Sequence, residues 1–284
     1  MMLSEQERGF GSFVAVAVLG LVFSARPANA QQVKAPLPVD APERPAVQPE
    51  ESWIFGLGIG VVSIPKFPGS DSQMIRVLPL PSASYGRFFF GADAGGESPI
   101  ALGVYLHKDS RWRLGAALVA DVTRRRESDD PRLQGLGDVE PTTRSSLFGS
   151  YTQGRLSARA SVAYDGRRKT QGTLARLSVG AFHKLSERLT VFGGPGLTWG
   201  SSRYVRTFFG VDSGQSARSG LPEFEAKGGV TNVNVGIGTH YRIDENWSMD
   251  AIISAARLQG DSAASPITER KSQNVVGVLT TYRF

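Results

Sequence analysis

The chain of 284 residues has no cysteine and only three histidines. A disulfide-stapled scaffold is therefore excluded, and so is a His/Cys zinc cluster. Long apolar runs are also missing. The longest, "GFGSFVAVAVLGLVF" at 9–23, is 15 residues, short of the ~20 that a membrane-spanning helix needs. The net charge is +6, but no zinc knuckle, RNP-like run or helix-turn-helix pattern accompanies it, so no nucleic-acid partner is expected. From Trp53 onward helix-period patterning is nearly absent as well.

The 9–23 run reads as the core of a secretory signal, preceded by Arg8 and followed by the A-x-A site "ANA". Ala28 and Ala30 frame the expected cleavage, which leaves Gln31 as the first mature residue. Losing 1–30 removes Arg8, Arg26, Glu5 and Glu7 together, so the charge is unchanged. On an exported protein that charge suits an anionic envelope surface. Residues 31–51 carry five prolines and almost no large apolar side chains, the composition of a semi-extended linker.

Beyond this linker, alternation with period two dominates. Trp53, Phe55, Leu57, Ile59 and Val61 oppose Gly56, Gly58 and Gly60, and Leu156, Ala158, Ala160, Val162 and Tyr164 oppose Arg155 and Arg159. The pattern predicts strands near 53–62, 73–84, 87–94, 99–106, 111–121, 144–152, 155–164, 172–183, 188–199, 229–241, 246–257 and 273–284. Alternation alone also suits a soluble sandwich, so connection lengths decide. The connections "YG", "HKDS", "QG", "KLSE" and "IDEN" are short, and those between them are mostly long, up to the segment 200–228.

Short turns at one end and long loops at the other describe an all-β, transmembrane, antiparallel up-and-down barrel. It is expected to occupy 52–284 with twelve strands, or ten if the region around "AGGES" is miscounted. Both chain ends then lie in the periplasm. Trp53, Tyr85, Trp112, Tyr151, Tyr241, Trp247, Tyr282 and Phe284 fall together at the short-turn ends, as a girdle at the headgroup boundary would. Tyr282 and Phe284 end the last strand, which must pair with the first so that no edge faces lipid. Pro79 and Pro81 predict a bulge or kink in the second strand.

Opposite the lipid-facing residues, Arg111, Arg113, Asp121, Arg155, Arg159, Asn232, Asn234 and Asp250 form the expected polar lumen face. They read either as a pore lining with some anion preference or as a bonded plug. The three histidines fall at or beside short turns and make poor bases for a Ser/His site. No enzyme activity and no cofactor or metal is expected.

The long connections carry a resemblance. "FPGSD" (67–71) with "RVLPLP" (76–81), "GLGD" (135–138), "GGPGLTWGSSRYVRTFFGV" (193–211), "SGL" (219–221), "RLQGDSAASPI" (257–267) and the terminal "YRF" occur in order. Over 53–284 the chain resembles the MipA/OmpV family of outer-membrane proteins. One departure is "PKFPGSD", where the family often has an acidic, tyrosine-containing turn. The resemblance implies residence in the outer membrane of a Gram-negative bacterium, among its lipids, after passage through the barrel assembly machinery. It further implies a scaffold joining a lytic transglycosylase and a penicillin-binding synthase; porin-like or adhesive members supply the alternatives.

Overall fold

A computed structural model describes residues 52–91, 100–166 and 171–284. The signal, Ala28, Ala30, Gln31 and the linker 31–51 lie outside these residues. Twelve strands run in sequence: β1 (Ile54–Pro65), β2 (Gln73–Tyr85), β3 (Phe88–Gly91), β4 (Ala101–Lys108), β5 (Trp112–Asp121), β6 (Thr142–Gln153), β7 (Leu156–Tyr164), β8 (Thr173–Lys184), β9 (Leu189–Gly200), β10 (Gly229–Arg242), β11 (Trp247–Leu258) and β12 (Ser272–Arg283). Each pairs antiparallel with its neighbours, and β12 closes on β1 through eight register pairs from Gly56↔Arg283 to Ser63↔Val276. The count is twelve, not ten.

Along each strand one parity is exposed and apolar. Phe55, Leu57, Ile59 and Val61 on β1, Leu114 and Leu118 on β5, Val233, Val235 and Ile237 on β10, and Val276 and Val278 on β12 all face outward. The opposite parity is small, polar or buried. A soluble protein rarely leaves so continuous an apolar surface bare; around a closed barrel it is the lipid-facing wall.

β2 carries no bulge. It pairs with β1 in unbroken register from Ile54↔Ser84 to Pro65↔Gln73. The reason lies in the bonding direction. Phe284 N–H donates to Phe55 O, so odd residues of β1 bond toward β12 and even ones toward β2. Leu78, Leu80 and Ser82 therefore face β1, while Pro79 and Pro81 turn their nitrogens to the other side. There, among the described residues, β2 pairs with β3 through Ala83–Tyr85 and no ladder bond is lost at either proline. A register shift does occur elsewhere: between Val230 and Asn232 a bulge on β10 leaves both Thr231 and Asn232 buried.

The long-loop end is folded. Loops L1 (66–72), L3 (122–141), L5 (201–228) and L6 (259–271) hold three short helices: α1 (Ser202–Phe209) and α2 (Ser213–Ser219) in L5, and α3 (Gly260–Ala264) in L6. In α1, "SRYVRTFF", Tyr204, Val205, Phe208 and Phe209 recur at helical spacing and are all buried. Ser201 caps it by accepting from Tyr204 N–H, and Asp212 and Gln215 form a capping box on α2.

Candidate functional site

Three regions could carry function: the cap over the long-loop mouth, the lumen, and the rim at the short-turn end. The cap joins four loops to one another. Arg125 donates from Nη1 to Phe208 O at 2.9 Å, Gln215 from Nε2 to Leu136 O, and Arg218 from Nε to Gly135 O, tying L3 to L5. Ser265 donates to Phe209 O, tying L6 to L5. Lys66 pairs with Asp130 at 3.3 Å, and Glu269 and Arg270 N–H both donate to Gly69 O, which adds L1.

Two apolar clusters fill the space between these loops. One packs α1 (Tyr204, Val205, Phe208, Phe209) with Val139, Ala226 and the wall residues Leu174 of β8 and Leu258 of β11. The other gathers Phe67, Leu133, Leu136, Val211 and Ile267. Because Leu174 and Leu258 lie on the lumen parity, α1 sits within the mouth itself. Burial holds the Arg125 guanidinium down to about 10, opposed by Asp138 and Glu127. The same desolvation pushes the Tyr204 phenol up to about 12, with Asp121 adding to it.

Beneath the cap, Arg144 of β6 is the pivot. It bonds Asp121 through Nε at 2.6 Å, Gly172 O through Nη1 at 2.6 Å and Gln171 Oε1 through Nη2 at 3.2 Å, and its guanidinium lies 5.6 Å from the Tyr204 ring. Asp165 accepts from Thr142 Oγ1 and Gln171 N–H. A buried charge held by this many directed bonds is the form in which such a pair is tolerated.

Deeper in the lumen, rings lie against glycine. Phe89, Tyr105 and Phe148 meet at centroid distances of 5.0, 5.9 and 6.0 Å. A Cβ on Gly103 would stand 2.3 Å from Phe89 Cζ, and one on Gly115 2.4 Å from Phe148 Cζ. Only glycine admits that approach, the arrangement by which aromatic rings cover glycine in barrel walls. On the far side Ile252, Val275 and Leu279 pack with Leu78, Leu80 and Phe192. On β10 and β11, His240 Nδ1 lies 2.8 Å from Asp250 Oδ1, both buried.

The expected lumen residues divide. Asp121, Asn232 and Asp250 are buried, and Arg113, Arg159 and Asn234 half-buried, on the lumen parity. Asp121 and Asp250 each meet a cation or imidazole partner, but in separate places. Arg111 and Arg155 keep the lumen parity but sit exposed in the turns just before β5 and β7. Arg144 and His240, the partners of those two aspartates, carried the same inward parity in "TTRSS" and "GTHYR" and were missed as lumen groups.

At the short-turn end the aromatic residues meet in pairs. Trp53 stacks near Tyr85 at 5.2 Å, Trp112 near Tyr151 at 4.6 Å, Trp247 near Tyr282 at 5.0 Å, and Tyr282 near Phe284 at 5.0 Å. Tyr241 joins no ring pair among the described residues. A second set, Tyr164 and Trp199, lies exposed near the long-loop end, where the sequence reading named no girdle. Three of the five short turns share one device. Asp109 accepts from Arg111 and Trp112 N–H, Ser186 from Arg188 and Leu189 N–H, and Asp244 from Asn246 and Trp247 N–H. These bonds, with His107 added, hold the Asp109 carboxyl down at about 2.

Comparison with known proteins follows the same outline. The solved NanC porin covers 80% of this chain and 98% of its own, at 8% identity and a TM-score of 0.41. The MltA-interacting protein of Escherichia coli (strain K12) is 25% identical over 240 residues, 83% of this chain and 91% of that protein. Outer membrane protein OmpV of Vibrio cholerae is 32% identical over 89 residues, 31% of this chain and 34% of that one. The family model for MltA-interacting protein MipA matches residues 57–284, from β1 to the terminal phenylalanine and across every loop of the cap, and the chain belongs to that family.

Proposed function

We propose that this protein is a non-enzymatic scaffold of the outer membrane, with its short turns, N-terminal linker and C-terminus in the periplasm. The observation that carries the reading is the interlocked cap: α1 packs on the inward residues Leu174 and Leu258 at the long-loop end and is bonded to L3 and L6. A wall exposed to lipid and loops interlocked over one end suit a protein that presents a surface better than one that passes solute. The partners we infer are a lytic transglycosylase, after the name of the Escherichia coli relative, and a penicillin-binding synthase. Catalysis fits poorly, because His107 is bonded to Asp109 at a turn, His183 is exposed on the outer wall, and His240 is buried against Asp250.

Cross-linking of tagged protein in intact envelopes tests the scaffold. Recovery of a lytic transglycosylase or penicillin-binding synthase, absent with an unrelated barrel, is the expected result; capture of assembly machinery alone would remove the reading. The porin-like alternative has the half-buried Arg113 and Arg159 in its favour. It predicts stepwise conductance in a planar bilayer, where the capped protein should be silent.

A further inference from the structure

The five short turns repeat a pattern: "YGRF" (85–88), "DSRW" (109–112), "QGRL" (153–156), "SERL" (186–189) and "DENW" (244–247). In four of them arginine immediately precedes the new strand. The main chain repeats with the sequence. Arg87, Arg111, Arg155 and Arg188 each accept, at the carbonyl, a ladder bond from the neighbouring strand, donated by Tyr105, Thr152, Phe182 and Arg242 N–H. Asn246 accepts from Arg283 N–H in the fifth. The arginines are thus still in sheet register. Phe88, Trp112 and Leu156 after them are exposed on the outer wall, so Arg87, Arg111 and Arg155 hold the lumen parity and ring the turn-end mouth.

Charge is unevenly spread around that ring. On the β8–β11 side Glu187, Asp244 and Glu245 accompany Arg188 and Arg242. On the β2–β7 side the one acid among the described turn residues is Asp109, and its carboxylate is occupied by two backbone N–H groups and His107. Arg87, Arg111 and Arg155 are exposed, and among the described residues their guanidiniums make no hydrogen bond or ion pair. Phospholipid headgroups are a poor match, since these side chains lie on the parity that turns away from lipid. A single small anion is a poor match too: arginines two strands apart stand roughly 10 Å from one another along the rim.

We propose that Arg87, Arg111 and Arg155 form a docking site for an acidic, extended peptide segment of a periplasmic protein, with carboxylates about every third residue. In a polyproline-type chain such residues share one face at a spacing of about 9 Å, which fits the ring. Guanidinium forks recognise carboxylates in pairs of parallel bonds, and arginine clusters read acidic motifs this way. The site deepens the scaffold reading and rests on the turn end facing the periplasm.

The test uses the purified mature chain in nanodiscs and a fluorescein-labelled (Glu-Pro-Pro)n peptide, read by anisotropy, with (Gln-Pro-Pro)n as control. Salt-sensitive binding of the acidic peptide alone is expected. The variant Arg87→Gln/Arg111→Gln/Arg155→Gln should lose it by at least about tenfold, while Arg270→Gln/Lys271→Gln at the loop end should not. Heat-modifiable migration verifies that each variant is folded. Equal binding by the triple variant, an equal loss in the loop-end variant, or equal competition by free glutamate at matched carboxylate concentration would overturn the site. Because no partner protein enters this assay, its failure is separate from a failure of the cross-linking above.

Discussion

Arg144 shows what one inward residue can hold. Its side chain is 1% exposed and bonded to Asp121, Gly172 and Gln171. Arg144→Leu leaves the Asp121 carboxylate without its charge partner, which should cost about 3–5 kcal/mol, measured by denaturant unfolding in detergent micelles. Asp109 makes the opposite kind of contribution, at the surface. Its folded value of about 2 lies below the ordinary 3.8, so the stabilisation is present above pH 3.8 and lost as pH falls through 2. The difference in unfolding between Asp109→Ala and the parent protein should therefore shrink across that interval. Gly103→Val must displace the Phe89 ring, and a fall in stability relieved by Phe89→Ala is the expected double-mutant outcome.

Among the elements, α1 brings four buried apolar side chains to the cap. Phe208 is fully buried in the cap; Phe208→Ala should remove about 3–5 kcal/mol of packing from the cap and leave the wall standing. Trypsin should then cleave at Arg203 or Arg206 while heat-modifiable migration persists. The Tyr204 phenol, raised to about 12, keeps the cap's stability intact below pH 10; that stability is lost as pH rises through 12. Absorbance titration of Tyr204→Phe against the parent protein checks it. The strands were legible because a two-sided wall writes its environment into every second residue. β5 is an example: Trp112, Leu114 and Leu118 are out and Arg113 and Asp121 are in. β3 was expected over 87–94; Phe88–Gly91 form strand, and 92–94 lie outside the described residues. In α1 the apolar residues of "RYVRTFF" were visible in the sequence. Its helical form and partners were not, since Phe209 meets Ser265 and Arg125 meets Phe208 only after distant loops converge. The bulge expected at Pro79 and Pro81 failed for a similar reason: bonding direction depends on how β1 meets β12.

For the whole molecule, closure is the weakest requirement to satisfy and the easiest to remove. Deleting Tyr282–Phe284 abolishes the pairs Leu57↔Tyr282 and Gly56↔Arg283, the bond from Phe284 N–H to Phe55 O and the stack on Trp247. An open edge in lipid leaves backbone groups unsatisfied, so the heat-modifiable folded form should disappear in envelope preparations. Closure also sets a clock. Gly69 N–H donates to Gln273 Oε1 across 204 positions of the chain, and Asp71 N–H donates to Glu269 across 198. Contacts that distant form late. The four loops cannot lock until the final hairpin has arrived, so every earlier stage of insertion has an unsealed mouth. Solvent and stray chain have until that moment to leave the interior, and on the scaffold reading proposed above a barrel delayed at its last hairpin would leak.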